Sequence, residues 1–232
     1  LGPSREGSGE WGDQRSGLDC WGPSACRVTL KRNYRSNAGL LEVPKQLFYG
    51  DDLDAVAPAS QVAPPDLGAL DVFDAPQGDG VGASVLTVGV PGRHSRSSVW
   101  AKGRSCVNAA EAEAVRDICV DLCMKRIATT EMVSVISLSR AQVQRIRSEL
   151  RAAGLAQIRC GTVDDFQGQE SEVVLISCVG SSAKALDTSK KRFNVAITRA
   201  RRLLIVVGSL PVLRSKDAGP WHDLCEACRD RG

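Results

Sequence analysis

The chain has few of the features that mark membrane or secreted proteins. No apolar run in its 232 residues approaches the ~18 residues needed to span a bilayer, and no charged segment followed by an apolar stretch opens it. We therefore expect a soluble protein that has no membrane partner. The net charge of +3 is also small, so it does not by itself indicate binding to nucleic acid.

Histidine is scarce as well, which argues against a histidine-activated nucleophile. The sequence has two, His94 and His222, and neither has a serine or cysteine nearby in a strand–turn–helix setting. We expect no such catalytic pair.

The nine cysteines do not follow a pattern of disulfides or metal ligands. Their number is odd and they are scattered within apolar segments, which predicts reduced thiols in a cytosolic or nuclear compartment. Cys225 and Cys228 form a C-x-x-C pair. A structural zinc site needs four ligands, however, and the sequence offers as a second pair only the distant Cys20 and Cys26. We predict no metal site and a core position for Cys228.

Changes in composition along the chain suggest three regions. Residues 1–26 are rich in Gly, Ser and Arg and predict a disordered lead-in. Residues 27–232 are expected to form one domain, interrupted at 51–84 by an irregular acidic insertion with seven aspartates and no Lys or Arg. Because the first residue is leucine, we expect the sequence to be a fragment.

Strand and helix patterns alternate over the rest of the chain. Apolar runs predict strands at residues 85–90, 133–137, 158–163, 173–178 and 203–208. Helical spacing and capping residues predict helices at 40–49, from Asn108 onward, and at 141–153, 193–202 and 221–229, the first of them kinked near Pro44. Strands that are apolar on both faces predict an α/β fold in which helices cover both sides of a parallel sheet. Ligands of such sheets bind at the carboxyl ends of the strands, where we expect the loop after Val163 to lie.

The most informative segment is the predicted helix at 193–202, which carries Arg199, Arg201 and Arg202 at its end and leads into a buried strand. An arginine anchored in this way can place a fixed positive charge where negative charge develops during phosphoryl transfer. Alternatively, arginines in a last helical turn only offset the helix dipole, contributing ~0.3–1 kcal/mol each.

Two further segments carry polar side chains beside buried strands. In residues 161–170, Thr162 offers a hydroxyl for a phosphate, Gly168 lets a ligand approach the backbone, and Glu170 can accept from ribose hydroxyls; a polar turn is the alternative. Tyr34 and Arg35 set an aromatic ring beside a guanidinium, suited to stacking on a base and to gripping a phosphate. Such a pair is also common on protein surfaces.

Together these segments resemble the second RecA-like motor domain of superfamily 1 helicases. Residues 30–36, 44–49 and 191–200 and the closing helix at Trp221 are most similar to the Armitage-type RNA helicases, relatives of the nonsense-mediated-decay helicase. The resemblance implies a RecA-like parallel sheet sandwiched between helices. It covers the chain from about residue 26 and is sparse only in the acidic insertion.

The resemblance also implies roles for individual residues at an ATP site. Tyr34 stacks on the adenine, Arg35 contacts the γ-phosphate, Glu170 holds the ribose, and Arg199 is the arginine finger. Gly168 belongs to the nucleotide loop, and Gln167 suits either this loop or the nucleic acid.

Thr162 and Ser137 are implied to contact the nucleic-acid backbone. Leu138 and Ser139 depart from the proline and tyrosine that usually follow the position of Ser137, so this contact is expected to be weaker or different in kind. Residues 190–192 are basic, but such a run is usually a solvated face.

Neither a Gly-x-x-x-x-Gly-Lys-Ser/Thr loop nor a strand ending in paired acidic residues before Arg35 occurs in the sequence. The ligands of the phosphates and of Mg²⁺ are therefore expected on an upstream RecA-like domain, and the fragment alone is expected to be inactive. The resemblance implies an ATP-dependent RNA helicase that translocates on single-stranded RNA in the cytoplasm, where ribonucleoprotein granules are one location, with RNA-silencing or RNA-decay proteins as partners. The alternatives are a DNA helicase or helicase-nuclease, and a catalytically silent RNA-binding scaffold.

Overall fold

The computed structural model describes residues 31–50, 53–67, 84–90, 95–96, 106–180, 182 and 186–229. The predicted lead-in at 1–26, most of the acidic insertion, and Cys20, Cys26 and His94 lie outside these residues. Within them, no helix is both long enough and apolar enough to cross a membrane.

Short and long elements alternate along the described chain. The strands are β1 (Arg32–Asn33), β2 (Asp54–Ala55), β3 (Val85–Gly89), β4 (Ser95–Arg96), β5 (Cys106–Val107), β6 (Val133–Ser137), β7 (Arg159–Thr162), β8 (Ser171–Ser177) and β9 (Ala200–Gly208). The α-helices are α1 (Ala38–Pro44), α2 (Ala59–Val62), α3 (Ala109–Met124), α4 (Arg140–Ala152), α5 (Lys190–Ile197), α6 (Leu210–Leu213) and α7 (Pro220–Arg229). A π-helical turn (Lys45–Tyr49) follows α1, and 3₁₀ turns occupy Asp164–Phe166 and Lys216–Ala218.

Five strands form the central sheet in the order β3-β9-β8-β6-β7. All neighbouring pairs are parallel, for example Val133 beside Val173 and Val174 beside Leu204. The predicted parallel sheet is thus confirmed. Because the strands share one direction, the sheet has one edge where all its strands begin and another where they end, here called the amino edge and the carboxyl edge.

Alternate residues of the strands enter two separate hydrophobic cores. Leu203 and Ile205 of β9 pack with α3 and α4, whereas Leu204 and Val206 pack with α1, α5 and α7 on the opposite face. The two-residue period of a strand produces this division. Helices cover both faces, which confirms the predicted sandwich.

Helix α5 is shorter than the sequence pattern predicts. It ends at Ile197, Arg199 lies in the following turn, and Arg201 and Arg202 belong to β9, so the prediction of one helix over 193–202 is wrong. The reason is that the backbone of this segment pairs elsewhere: Ser171 N donates to Arg199 O at 3.1 Å, which aligns Ala200 with the start of β8.

Two other segments also differ in detail from the sequence patterns. The helix predicted at 40–49 begins at Ala38, and after Pro44 it continues as the π-helical turn, in agreement with a kink there. In the segment predicted as an irregular acidic insertion, β2 pairs in parallel with β1, and α2 buries Val62. Hydrogen bonds to β1 explain the local order, since Asp54 N donates to Lys31 O at 2.7 Å and Val56 N donates to Asn33 O at 2.9 Å.

Candidate functional site

The predicted site residues lie at two opposite edges of the sheet. Glu170 and Arg199 immediately precede β8 and β9, so they lie at the amino edge. Ser137 and Thr162 end β6 and β7, so they lie at the carboxyl edge. The expectation that the whole loop after Val163 lies at the carboxyl edge is therefore wrong. The loop begins near that edge but crosses to the other one, because the next strand runs in the same direction and must start there.

The loop that carries Tyr34 and Arg35 is tied to the amino end of β9. Ser36 Oγ donates to Ala200 O at 2.9 Å, and Asn37 N donates to Arg201 O at 2.8 Å. Ser36 is buried, while the side chain of Tyr34 is 64% exposed. The loop therefore anchors its backbone against the sheet and presents the tyrosine ring to solvent.

Two asparagines give this loop its shape. Asn33 Oδ1 accepts from the backbone N–H groups of both Arg35 and Ser36 at 2.9 Å, an Asx-type turn. Asn37 caps α1, its Oδ1 accepting from Gly39 N at 2.8 Å, and its Nδ2 donates to Val62 O at 3.1 Å. Sequence reasoning did not single out these residues, although turn-forming polar residues on both sides of a Tyr-Arg pair are a readable signal.

Charged side chains gather at the amino edge. Arg35 Nε forms an ion pair with Glu170 Oε2, and Arg201 lies 3.9 Å from Glu170 Oε1 and 3.1 Å from Glu172 Oε1. The side chains of Arg35 and Glu170 are 39% and 37% exposed, so they remain accessible to a ligand. Sequence reasoning missed Arg201 and Glu172 as members of this cluster because it placed Arg201 in a helix.

Arg199 is fixed between α5 and the start of β8. Its Nε donates to Val195 O at 2.8 Å, its Nη1 to Gln169 O at 3.2 Å and its Nη2 to Thr198 Oγ1 at 3.0 Å. The bond to Val195 satisfies a carbonyl in the last turn of α5, as expected for an arginine that offsets the helix dipole. A guanidinium has five N–H donors, so two remain for another partner, and both readings of this arginine are compatible.

Arg199 lies beside this cluster, because its Nη1 donates to the carbonyl of Gln169, the residue that precedes Glu170. Burial lowers the pKa of its guanidinium below the ordinary value, and the positive charge of Arg35 lowers it further, whereas Glu170 and Tyr49 raise it. The structure thus brings Arg35, Glu170 and Arg199 together at the amino edge. The cluster carries a partly desolvated positive charge, suited to an anionic ligand.

Gly168 lies in the loop before this cluster. It has a φ of +78°, and a Cβ added there would meet no atom within 4 Å. Backbone conformation rather than crowding therefore explains the glycine. The expected approach of a nucleotide to this loop stays a prediction.

At the carboxyl edge, the hydroxyl groups of the two residues predicted to contact nucleic acid donate hydrogen bonds within the protein. Thr162 is 5% exposed and donates both N–H and Oγ–H to Asp165 Oδ2 at 2.8 Å, which lowers the pKa of that carboxyl. Ser137 is fully buried, and its Oγ donates to Ser177 O at 3.2 Å. A hydroxyl has one proton to donate. In this structure neither proton is available to a phosphate, so the role of these residues stays a prediction.

A buried polar network also lies near the carboxyl edge and was not predicted. The carboxylate of Glu111 on α3 accepts from Ser177 Oγ at 2.7 Å, from Val179 N at 2.9 Å and from Asn108 Nδ2 at 3.1 Å. Gln142 on α4 donates to Ser177 Oγ at 3.1 Å and to Asn108 O at 2.9 Å. Burial raises the pKa of Glu111 above the ordinary 4.5, against the opposing effect of these hydrogen bonds. Sequence reasoning recognised Asn108 and Glu111 only as the start of a helix.

The described residues offer no obvious metal site. They contain no group of three or more His, Cys, Asp or Glu side chains arranged to hold an ion. At the amino edge, Glu170 and Glu172 are both paired with arginines. Cys225 is buried in the core, and Cys228 in the same helix is partly buried.

Comparison with known proteins identifies relatives of this chain. The family described as an AAA domain matches residues 17–211. The putative helicase MOV-10 of Gallus gallus is 34% identical over 86% of the chain, and the human RNA helicase Mov10l1 is 36% identical over 79%. The 5′-3′ DNA helicase ZGRF1 of Mus musculus is 35% identical over 55% of the chain. The chain spans only 22%, 15% and 7% of the lengths of these three relatives.

Proposed function

Because the chain belongs to the AAA-domain family of helicases, we propose that it is the C-terminal motor domain of an ATP-dependent RNA helicase. Helicases of this family use ATP and a metal ion in general. The observation that carries the proposal is the meeting of Arg35, Glu170 and Arg199 at the amino edge, beside the loop that exposes Tyr34.

Each of these groups suits one part of a nucleotide. The exposed ring of Tyr34 stacks on the adenine, and the carboxylate of Glu170 accepts from the ribose. The guanidinium groups of Arg35 and Arg199 offset the charge that develops on the transferring phosphoryl group. Gly168 allows the loop backbone to approach the nucleotide.

The remaining parts of the nucleotide site belong to a second RecA-like domain of the same protein. The 232 residues contain no phosphate-binding Gly-x-x-x-x-Gly-Lys-Ser/Thr loop, and the described residues have no cluster that fits Mg²⁺. The ligands of the phosphates and of Mg²⁺ would lie on the other domain. The present chain would then be inactive alone, and Arg199 would complete the site in trans across the cleft between the domains.

The proposed substrate is single-stranded RNA, on which the complete protein translocates from 5′ to 3′. Support comes from the relative named as an RNA helicase and from the similarity around residues 33–49. Thr162 and Ser137 are proposed to contact the RNA backbone after their hydroxyl groups have left their present hydrogen-bond partners. A cytoplasmic location, including ribonucleoprotein granules, and partners among RNA-silencing or RNA-decay proteins belong to the same proposal.

The proposed finger is tested by Arg199→Ala in the full-length protein. RNA-stimulated ATP hydrolysis should fall by about 10³–10⁵-fold, while the affinity for nucleotide changes much less. Arg202→Ala is a matched control, because Arg202 lies three residues further on and its Nε donates to Ala63 O at 2.6 Å. Wild-type turnover in the Arg199→Ala protein would disprove the assignment.

DNA is the second candidate substrate, because one relative is named as a DNA helicase. Comparing ATP hydrolysis stimulated by oligouridine and by oligodeoxythymidine separates the two. Equal stimulation, or stronger stimulation by DNA, would contradict the proposed preference for RNA. A full-length wild-type protein without ATPase activity would instead indicate a silent scaffold.

A further inference from the structure

Four arginines lie on helix α4 and at the start of strand β7, which is the last strand at one side of the sheet. Arg140, Arg147 and Arg151 lie seven and four residues apart, which places them within about 40° of one another on the helix and spreads them over roughly 16 Å. Arg159 begins the adjacent strand β7, at the edge of the sheet. We call these four residues the arginine stripe.

The arginine stripe differs from the other arginines nearby in how its side chains are held. On the neighbouring face, Arg116 and Arg145 both contact Glu149, at 2.8 and 2.7 Å. Among the described residues, no ion pair joins a member of the stripe to an acidic side chain. Arg147 instead donates to Cys160 O at 2.7 and 3.1 Å, and Arg159 lies 4.9 Å from the centre of the Phe166 ring. The stripe therefore concentrates positive charge in a chain whose net charge is only +3.

The end of the stripe nearer the amino edge borders a cavity between α4 and β7. Its volume is about 450 Å³. The residues that line it include Arg147, Leu150, Arg151, Gln157, Ile158 and Arg159. Arg147 and Arg151 on α4 border this depression, and two guanidinium groups offer several N–H donors that can hold a phosphate.

The other end of the stripe lies at the carboxyl edge. Arg140 begins α4 just after β6, and the positive charges of Arg140 and Arg147 contribute to the lowered pKa of Asp165, after the hydrogen bonds from Thr162. The stripe thus continues from the edge where the proposed function places RNA, down the side of the domain.

We propose that the arginine stripe binds the phosphodiester backbone of single-stranded RNA beyond the strand's path across the carboxyl edge. This inference rests on the proposed function, since it extends the same RNA path. A row of cations next to that edge fits a regularly charged polymer, and contacts with phosphates alone predict binding without base preference. An acidic protein segment is the alternative occupant that the test must distinguish.

The test uses Arg151→Gln and the double variant Arg140→Gln/Arg151→Gln in the full-length protein. Affinity for a fluorescein-labelled oligouridine is measured by anisotropy from about 50 to 200 mM salt. Each lost phosphate contact should weaken binding about fivefold at 0.1 M salt and reduce the slope of log K against log salt by about 0.7. Arg145→Gln removes one charge from the same helix at a position that is already paired, so it should leave both quantities unchanged.

Unchanged affinity and unchanged slope in the double variant would overturn the inference. So would equal losses in Arg145→Gln and Arg151→Gln, because net charge rather than the stripe would then be responsible. Polyglutamate serves as a probe for an acidic protein. If the wild-type protein binds polyglutamate, and the double variant loses this binding but still binds oligouridine, the stripe binds an acidic protein instead of RNA.

The proposed function has separate readouts. If Arg199→Ala abolishes ATP hydrolysis while the stripe variants bind RNA normally, only the inference about the stripe fails. If the wild-type protein binds no oligouridine at all, both the proposed RNA substrate and the inference about the stripe are wrong.

Discussion

Single residues at the two edges of the sheet differ in how their hydrogen-bonding capacity is used. At the carboxyl edge, the hydroxyl protons of Thr162 and Ser137 are donated within the protein. At the amino edge, Arg199 uses three of its five donors internally, and Tyr34 remains exposed. The amino edge is therefore ready for a ligand in this conformation, whereas hydroxyl contacts at the carboxyl edge require rearrangement.

Tyr34 provides a test at this scale. Tyr34→Ala should weaken nucleotide binding by about 1–3 kcal/mol, the contribution of stacking on one base, which corresponds to an increase in Kd of roughly 5- to 150-fold. The melting temperature should stay close to wild type, because the ring is 64% exposed. Titration with a fluorescent ATP analogue and thermal unfolding measure the two effects.

Tyr34→Phe is the matched variant, since it keeps the ring and should retain most of the affinity. If the alanine and phenylalanine variants lose equal affinity, the hydroxyl rather than the stacked ring is responsible. The assigned role of Tyr34 would then be wrong.

At the scale of secondary structure, the buried network of Glu111 joins elements that are distant in sequence. It links the start of α3 to α4 through Gln142 and to the end of β8 through Ser177. It also holds Val179, a β-branched residue with a φ of +48°, by accepting its N–H. Such a conformation is strained for valine, so this bond helps to maintain the turn after β8.

The raised pKa of Glu111 predicts a pH dependence of stability. As the pH rises above about 4.5, the unfolded chain releases the proton of Glu111 before the folded chain does, so this group lowers the free energy of unfolding through the interval between the two pKa values. Glu111→Gln does not titrate. The stability advantage of wild type over this variant should therefore shrink as the pH rises, as measured by urea unfolding over a pH series.

Met124→Ala serves as the control for this prediction, because Met124 lies on the same helix, is 78% exposed and does not ionise. Its stability difference from wild type should stay constant over the same interval. A difference between wild type and Glu111→Gln that does not change with pH would show that Glu111 has an ordinary pKa in the folded chain.

At the scale of the whole molecule, one sheet separates the residues proposed to bind a nucleotide from the residues proposed to bind nucleic acid. Strands β8 and β9 begin at Glu170 and Arg199, and β8 ends at Ser177 beside the Glu111 network. Most residues of these strands are buried, and both faces of the strands pack against helices. They connect the two edges through one buried layer, which under the proposed function would let both edges respond to one nucleotide.

The C-terminal helix packs against this layer. Trp221 is fully buried, its Nε1 donates to Asp187 O at 2.9 Å, and its ring meets Phe193 of α5 edge-to-face at 4.8 Å. Trp221→Ala should cost about 3–5 kcal/mol of unfolding free energy in one cooperative transition. Met124→Ala, at a position that is 78% exposed, should change it by less than about 0.5 kcal/mol. A separate, early transition confined to α7 would contradict this prediction.

Strand positions were the part of the fold that could be predicted most closely from the sequence. The strand predicted at 133–137 has those bounds in the structure, and the other four central strands differ by one to three residues at an end. Apolar residues on both faces of a strand are a local signal, so they can be read from sequence alone. The boundary of α5 could not, because it depends on bonds between residue 199 onward and the distant strand β8.

The candidate site shows the same division. Tyr34, Arg35, Glu170 and Arg199 could be identified from the sequence, because their segments together resemble a known helicase domain. Which groups meet was decided by the parallel order β3-β9-β8-β6-β7, which sets the starts of β8 and β9 side by side. The same order added Arg201 and Glu172 to the cluster and separated it from Thr162 and Ser137.

The sequence by itself determined the alternation of strands and helices and the chemical groups available, since periodicity and side-chain type are local properties. Tertiary structure alone decided the edge at which each group lies, the partner of each arginine and the protonation preference of Glu111. These properties depend on burial and on contacts between residues far apart in the chain, such as Ser36 and Ala200, which are 164 positions apart. No window of local sequence contains that information.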